Sequence, residues 1–379
     1  MVKTPAATTL EARITETMIA LAGIPSVSGQ EGAVREYVRE YVRERLIAIR
    51  LPAPQVDGAG NLIARVSAQP AERDTEPPIL LNAHLDRVPP GKAHAPILQD
   101  GILRSDGETN LGADDSAGIA ILLHAVEELQ TRATSHPPLL LLFTVGEEVG
   151  LVGAKAFDPT LWGAREGIIF DNAGEPGEVV TRAATIIAFD VTLHGSGGHP
   201  GKRLAGTTSA IEIFHRAQYP FGEMEGGQSR VSIGRIKGGS ARNAVPRELH
   251  VQGEARTLLE GDARAELLGQ IERAFVESAI ALGGAAEIEF DAHCDGYEVA
   301  PDEPLLLAWE AAVTSRGEPF RTMTTFIGSD ASALRPHTRV FTVSTGAMDE
   351  HTSEEWIALA PLAGLVETTI TLLSAYRAE

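Results

Sequence analysis

The chain has 379 residues, of which 43% are hydrophobic and 22% are charged, and its formal net charge is −20. This length suffices for two domains with sizeable cores, whereas the negative charge argues against nucleic acid or an anionic membrane as a partner, because both bind cationic surfaces. Cys294 is the only cysteine, which excludes a disulfide framework and a cysteine zinc cluster. Neither a signal peptide nor a membrane span is recognisable, so we expect a cytoplasmic protein.

The first half of the sequence predicts alternating helices and strands. Apolar residues at helical spacing, with a cap at Thr8 or Thr9, predict a first helix from Leu10 that stops at Gly23, and a second helix is predicted over 31–49. Apolar runs and turn signals predict a hairpin over 56–66, strands over 78–83, 139–145 and 167–170, and helices over 116–129 and from 154. This order is typical of an α/β fold with a mixed or parallel sheet flanked by helices.

From about residue 184 the pattern changes. Strands are predicted over 186–193, 230–237, 248–257 and 286–290, with helices over 207–218 and from a cap at Asp262. The order β-α-β-β-α-β is that of a ferredoxin-like domain. We therefore predict an inserted domain over 184–294 between two parts of a first domain, 1–183 and 295–379. The second part adds a helix from Pro304, a strand over 339–343 and a final helix over 361–376.

Acidic residues and histidines follow several of the predicted strands. In chain order they are His84 and Asp86, Asp114 at the entry to a helix, Glu147 and Glu148, Asp171, and His351. Ligands of open α/β sheets bind outside the carboxyl ends of the strands. We therefore expect these side chains to gather at one edge of one sheet.

Histidine nitrogens and carboxylate oxygens are ligands for zinc-like divalent ions. Two such ions need one shared carboxylate and two further ligands each, and the set that meets this need is His84, Asp114, Glu148, Asp171 and His351, with Asp114 as the bridge. Asp86 can then hydrogen-bond the other ring nitrogen of His84, and Glu147 can act as the general base that takes a proton from a metal-bridging water. Zinc is the expected metal, with cobalt and manganese as alternatives.

Each of these residues also has a structural alternative. A histidine on an apolar strand, such as His84, is often a core residue, and Asp114 suits the N-cap of the helix that follows it. The acidic segment around His351 is similar to a capping segment. One metal site explains all of these positions together, and it is the preferred interpretation.

Four stretches of the sequence resemble the co-catalytic zinc exopeptidases related to peptidase T, a superfamily that also holds acetylornithine deacetylase and succinyl-diaminopimelate desuccinylase. They are residues 83–86 (AHLD), 111–118 (LGADDSAG), 146–150 (GEEVG) and 351–355 (HTSEE). The resemblance covers nearly the whole chain. It implies the ligand roles given above, a cis peptide after Asp114 and the removal of N-terminal residues from short peptides, with tripeptides as one possibility.

The stretch 147–154 also resembles the glutamyl aminopeptidase type of dinuclear enzyme. In those enzymes the inserted domain falls between the His-x-Asp and Asp-Asp motifs. Here Asp86 and Asp114 are only 28 positions apart, and the insertion follows Asp171. The topology therefore favours the peptidase T type.

The resemblance also implies roles for the inserted domain, which would be a lid through which the chain forms a homodimer. A histidine in the position of His199 reaches the active site of the partner subunit in the resembling family and polarises the scissile carbonyl. Arg242, Asn243 and Arg256 match positions that hold a substrate carboxylate or carbonyl, and Asp330 is a candidate contact for a peptide amino terminus. A glycine-rich turn at His199 and a surface charge at Arg256 remain as alternatives.

The resemblance therefore implies a dinuclear metallo-aminopeptidase that acts on short peptides. An N-acyl-amino-acid deacylase or a carboxypeptidase of the same superfamily would use the same metal chemistry. A catalytically inactive, peptide-binding homologue is a further alternative. Retention of all the ligands together with Glu147 and Asp86 argues against it.

Overall fold

The computed structural model describes residues 9–46, 53–202 and 206–377. The helices are α1 Leu10–Ala22, α2 Gly32–Tyr41, α3 Ala113–Thr131, α4 Val152–Lys155, α5 Ala210–Arg216, α6 Gly261–Ala281, α7 Pro304–Ser315, α8 Asp330–Leu334 and α9 Leu359–Ala375. Within these ranges, none of the helices combines the length and apolar character needed to span a bilayer.

The strands are β1 Gln55–Val56, β2 Leu62–Val66, β3 Ile79–His84, β4 Ile97–Gln99, β5 Ile102–Arg104, β6 Leu139–Thr144, β7 Glu166–Phe170, β8 Val179–Ala183, β9 Thr185–His194, β10 Gly222–Glu223, β11 Ser229–Gly238, β12 Glu248–Thr257, β13 Ala285–Cys294, β14 Tyr297–Glu298, β15 Thr322–Thr325, β16 Arg339–Val343, β17 Ala347–Met348 and β18 Trp356–Ala358. The chain divides into two structural units.

A mixed sheet forms the centre of the first unit, with its strands in the order β1-β2-β6-β3-β7-β16-β8. β3 pairs in parallel with both β6 and β7, and β16 pairs in parallel with β7, so the carboxyl ends of four strands share one edge. Every residue of β3, β6 and β7 is buried, as expected for central strands covered on both faces. Helix α3 lies against β3 and packs on α1 and α9. The predicted α/β class, a mixed sheet flanked by helices, is confirmed.

The first two helices differ in how well the sequence predicted them. α1 begins after Thr9, whose hydroxyl accepts a hydrogen bond from the amide of Ala12, and it ends at Gly23. The second predicted helix, over 31–49, is confirmed from Gly32 to Tyr41, where α2 ends. The prediction was wrong over Val42–Leu46, which form a π-helical turn. The guanidinium of Arg45 covers the Tyr41 ring at 4.8 Å, a contact that stabilises this turn. Residues 47–49 and the alternative cap Thr8 lie outside the described residues.

A small antiparallel sheet in the first unit, with the order β17-β18-β5-β4, was not predicted. Its strands have two or three residues each, which is too short for a periodic sequence signal. Trp356 pairs with Arg104 across β18 and β5, and the Arg104 guanidinium lies 5.2 Å from the Trp356 ring. This sheet holds both ends of the segment Asp349–Glu355, which carries His351.

The second unit comprises Ala183–Tyr297 and Thr325–Gly328. Its sheet has the order β10-β11-β12-β9-β13, and every pair in it is antiparallel. The sequence β9-α5-β11-β12-α6-β13 is the β-α-β-β-α-β order expected of a ferredoxin-like domain. Side chains of α6 such as Ile271 and Phe275 bury against sheet residues such as Phe189 in one apolar core.

Three details of the second unit differ from the sequence prediction. Helix α6 begins at Gly261 with Glu260 as its N-cap, so Asp262 lies inside the first turn instead of capping it. Helix α5 is shorter than predicted, because Ser209 caps it by accepting a hydrogen bond from Glu212. The segment Thr325–Gly328, which the predicted boundaries assign to the first domain, belongs to this unit.

Candidate metal centre

Three neighbouring parallel strands deliver side chains to one edge of the large sheet. His84 is the last residue of β3, and Asp171 directly follows β7. Glu147 and Glu148 follow β6 after Gly146, whose φ of 62° turns the chain sharply at the strand end. The buried apolar strands therefore fix the positions of four polar residues whose side chains meet beyond the sheet.

Asp114 lies between the two histidines. Its Oδ1 is 3.0 Å from His84 Nε2, and its Oδ2 is 3.1 Å from His351 Nε2. The peptide bond between Asp114 and Asp115 is cis, as the resemblance implies. Because each carboxylate oxygen faces a different imidazole, Asp114 has the arrangement expected of a shared ligand.

Asp171 and Glu148 complete two groups around Asp114. Asp171 Oδ1 is 3.6 Å from His84 Nε2, and Glu148 Oε1 is 3.1 Å from His351 Nε2. One ligand atom from each of His84, Asp114 and Asp171 lies within 4.8 Å of the others, and the same holds for Asp114, Glu148 and His351. The structure thus brings the predicted ligand residues together in two groups that share Asp114.

The donor set fits a pair of divalent cations. Among the described residues, the buried oxygen Asp171 Oδ2 has no hydrogen-bond partner, and the only group within reach of Glu148 Oε1 that carries hydrogen is His351 Nε2 at 3.1 Å. Burying charged oxygens without compensation is costly, and a cation beside each of them would supply it. Mixed imidazole and carboxylate ligands are those that zinc, cobalt and manganese accept.

The pKa values of these groups reflect an excess of negative charge. Burial alone would lower the pKa of His84, but the neighbouring carboxylates, above all Asp171, raise it well above its usual value. Hydrogen bonds to its two carboxylate partners raise the pKa of His351 to about 10. Burial, reinforced by Asp171, raises the pKa of Glu147 well above its usual value. Two cations would relieve this repulsion.

Asp86 orients more of the site than the sequence predicted. Its Oδ1 lies 3.5 Å from His84 Nδ1, longer than the predicted hydrogen bond, because the carboxylate is engaged by other donors. It accepts hydrogen bonds from the amides of Glu147 at 3.0 Å and Glu148 at 3.2 Å, and from the hydroxyl of Ser28 at 2.7 Å. One buried carboxylate therefore holds the turn that carries both the candidate base and a ligand.

Asp115 was not singled out from the sequence, although it directly follows the bridging residue. Its Oδ2 accepts a hydrogen bond from the backbone amide of His84 at 3.0 Å, and its Oδ1 accepts one from Gly118 at 2.9 Å. A Cβ on Gly118 would lie 2.3 Å from the carbonyl oxygen of Phe170 and 2.5 Å from Asp115 Oδ1. Glycine is therefore needed where α3 passes beneath the site.

Two buried glutamates from distant parts of the chain also bind the loops of the site. Glu31 Oε1 accepts hydrogen bonds from the amides of Gly29 at 2.8 Å and Gly146 at 3.2 Å. Glu355 accepts hydrogen bonds from the amides of Gly112 and Asp114. The contacts of Glu31 with Gly146 and of Glu355 with Gly112 and Asp114 join segments that are far apart in the sequence, so no spacing rule could have identified them.

Two of the predicted substrate-binding residues, Asp330 and Arg256, form hydrogen bonds with other residues of the protein. Asp330 is buried in the first unit, where the Thr144 hydroxyl donates a hydrogen bond to it and burial raises its pKa to about 7. Arg256 lies in the second unit, where it donates hydrogen bonds to the carbonyl of Phe326 at 2.9 Å and to Glu254 at 3.0 Å. Their roles toward a substrate stay predictions.

The other predicted substrate contacts lie together on the second unit. The amide of Val245 donates a hydrogen bond to the carbonyl of Gly198 at 2.9 Å, which joins the loop of His199 to the turn of Arg242 and Asn243. The side chains of His199, Arg242 and Asn243 are exposed. The structure thus groups three candidate residues on one surface of this unit.

Comparison with known families and structures gives consistent matches. The family described as Peptidase family M20/M25/M40 matches residues 80–375. The fold is similar to the crystal structure of aminopeptidase PepT from Bacillus cereus, with a TM-score of 0.87 and 27% identity over 96% of this chain and 98% of that one. A tripeptidase from Staphylococcus aureus matches with a TM-score of 0.89 and 26% identity over the same shares, 96% and 98%.

Relatives were also found by sequence. A Bacillus subtilis protein, YqjE, is 31% identical over 319 residues, which are 83% of this chain and 84% of that protein. An Aspergillus terreus protein named "Probable carboxypeptidase" is 27% identical over 311 residues, 74% of this chain and 70% of that protein.

Proposed function

The chain belongs to peptidase family M20/M25/M40, and from this premise we propose that it is a dinuclear metal-dependent exopeptidase that removes N-terminal residues from short peptides. The observation that carries the proposal is the pair of ligand groups joined by Asp114. The similarity to structures named as an aminopeptidase and a tripeptidase supports the choice of the N-terminal end.

In this proposal His84 and Asp171 would hold one cation, Glu148 and His351 the other, and Asp114 both. Two bound divalent ions supply Lewis acidity, which polarises a peptide carbonyl and makes water a better nucleophile near neutral pH. Zinc is the proposed ion, with cobalt and manganese as alternatives, since the ligands suit all three.

Glu147 is the proposed general base. Asp86 holds its backbone amide, so the side chain is presented from a fixed turn beside the ligands. Burial raises the pKa of the Glu147 carboxyl, which favours its protonated form. The carboxylate can therefore take a proton from the attacking water, hold it, and deliver it to the amine that leaves when the peptide bond breaks.

We also propose that the chain is a cytoplasmic homodimer that associates through its second unit, with His199 stabilising the developing oxyanion of the scissile carbonyl. Arg242, Asn243, Arg256 and Asp330 are the proposed substrate contacts. The exposure of His199, Arg242 and Asn243 on neighbouring loops supports their part in this proposal. If the dimer forms, light scattering will report twice the mass of 40.2 kDa, and His199→Ala will lower kcat without lowering metal content.

A carboxypeptidase is the second candidate, because the Aspergillus terreus relative carries that name. The two activities share the metal chemistry and differ in which end of the peptide they release. The distinction therefore lies in whether the site recognises a free amino terminus or a free carboxylate.

Product analysis separates the two candidates. The zinc-loaded protein would be incubated with a tripeptide of three different residues, with its N-acetylated form and with its C-terminal amide, and the products identified by mass spectrometry. We expect release of the N-terminal residue from the free and amidated peptides but not from the acetylated one. Release of the C-terminal residue from the free and acetylated peptides would instead establish the carboxypeptidase.

Glu147→Gln is the matched control, because it keeps the shape of the base and removes its proton affinity. The variant should bind the same number of zinc ions as the native chain and lose nearly all turnover. Absence of turnover by the native chain on every peptide, at full metal occupancy, would contradict the proposed function.

A further inference from the structure

We propose that Glu355 is a positioning residue that holds the backbone of Asp114 so that one carboxylate can serve two metal ions. The proposal rests on the proposed function, since it takes Asp114 as the shared ligand. Glu355 Oε1 accepts a hydrogen bond from the amide of Asp114 at 3.0 Å, and Oε2 accepts one from the amide of Gly112 at 2.8 Å. Both oxygens of this side chain, which is only 1% exposed, are therefore committed to one loop.

Arg87 also contacts the loop that carries Asp114. Arg87 donates a hydrogen bond from Nη1 to the carbonyl of Leu111 at 3.4 Å and from Nε to the hydroxyl of Ser26 at 2.8 Å. A Cβ on Gly112 would lie 2.1 Å from Arg87 Cδ, so the Arg87 side chain packs directly across this glycine. Arg87 and Glu355 therefore both hold the loop.

Glu355 is itself anchored by the small sheet. Its carbonyl accepts a hydrogen bond from the amide of Ser105 at 3.0 Å, and the next residue, Trp356, pairs with Arg104. The indole of Trp356 also donates to Asp349 Oδ2 at 3.1 Å, which closes the segment Asp349–Glu355. This segment thus supplies a ligand, His351, and the support of the shared ligand, so the small sheet fixes both together.

To bind the amides of both Gly112 and Asp114, the side chain at position 355 needs two acceptor oxygens and the length of a glutamate. In Glu355→Gln the side-chain amide would face one of the two backbone N–H groups with a donor, and that hydrogen bond would be lost. In Glu355→Asp the charge is kept, but the shorter side chain cannot reach both amides. Partners that hold metal ligands in place typically change metal affinity by about 10- to 100-fold when mutated.

The test measures zinc binding directly. Metal-free native protein and each variant would be titrated with zinc against a chromophoric chelator, and the d–d absorption of the cobalt-loaded proteins would report ligand geometry. Glu166→Gln is the matched control, since Glu166 is also a buried glutamate of the first unit but contacts Arg339 and Tyr376. Melting temperatures of all the metal-free proteins would be recorded in parallel.

We expect Glu355→Gln to raise the dissociation constants of both zinc ions by about 10- to 100-fold and to alter the cobalt spectrum, with Glu355→Asp in between. Glu166→Gln should bind zinc like the native chain, even where it lowers the melting temperature. If Glu355→Gln does not fold, the zinc affinity of Glu355→Asp alone tests the proposal. Native-like affinity in the Glu355 variants, weakening of one ion alone, or equal losses in Glu166→Gln would overturn the proposal. The native chain tests the proposed function separately, because binding of fewer than two zinc ions by that chain would contradict it.

Discussion

Gly118 offers a sharp test of how tightly α3 packs beneath the metal centre. In a helix interior, alanine is normally more favourable than glycine by about 1 kcal/mol, so Gly118→Ala should stabilise the protein if only helix propensity mattered. The surroundings predict the opposite. The new Cβ would lie 2.3 Å from the backbone carbonyl oxygen of Phe170, well inside the 3.4 Å at which ordinary van der Waals contact begins, so one of the two groups would have to move.

The displaced groups belong to one of the two ligand groups. Asp115 holds the backbone amide of His84, and Phe170 directly precedes Asp171. Overpacking of this kind costs about 1–3 kcal/mol, which exceeds the helix-propensity gain. Gly118→Ala should therefore lower the unfolding free energy. It should also weaken the binding of the ion proposed to lie beside His84 and Asp171 more than the binding of the other ion.

Gly364→Ala is the matched control, because Gly364 lies inside α9 and the nearest atom to its Cβ is 4.0 Å away, on Glu318. Urea unfolding, monitored by circular dichroism, would measure the stability of both variants. Zinc titration would measure the affinity of each variant for each ion. We expect Gly364→Ala to be neutral or stabilised and Gly118→Ala to be destabilised. A Gly118→Ala protein that is as stable as Gly364→Ala and binds both ions normally would show that α3 is not tightly packed at Gly118.

Three other predictions concern single contacts. Asp86→Asn replaces one acceptor by a donor opposite the amides of Glu147 and Glu148, so zinc affinity measured by titration should fall by about 10- to 100-fold, whereas native affinity would contradict the role of Asp86. Glu31→Leu, which removes the acceptor oxygen, should lower kcat in the peptide assay by a similar factor at unchanged zinc content, because it loosens the turn before the base, and an unchanged kcat would contradict this. Burial lowers the pKa of His136, so the unfolded state takes up the proton first and stability should fall as pH drops below about 6.5. The urea midpoint of His136→Gln should depend less on pH over that range than that of the native chain, and an equal dependence would contradict the assignment.

The gathering of the candidate ligands at one edge of the sheet could be predicted because its signal is local. Each central strand is a run of buried apolar residues, as in Leu139–Thr144, and the polar residue after it must emerge at the carboxyl edge of the sheet. The family resemblance is confirmed by the match over residues 80–375 and by the similarity to the PepT structure. A strand pattern followed by acids and histidines therefore predicted both the class of fold and which of these side chains lie together.

The residues that hold the site in place could not be predicted in the same way. Glu31 lies 115 positions from Gly146, and Glu355 lies 243 positions from Gly112, the residues whose amides they bind. Glu355 is part of the motif 351–355, but that motif does not indicate which amides its side chain binds. The small sheet was missed because two or three residues carry no periodicity. The role of Asp115 in holding His84 was not predicted, because only the first aspartate of the pair, Asp114, was assigned a role. Such contacts depend on the folded arrangement of distant segments.

The proposed function depends most on two cations sharing Asp114. Crystals grown with cobalt and measured at the cobalt absorption edge would locate each ion by anomalous scattering. We expect two peaks, one beside His84 and Asp171 and one beside Glu148 and His351, both within bonding distance of Asp114. A single peak, or peaks away from Asp114, would contradict it.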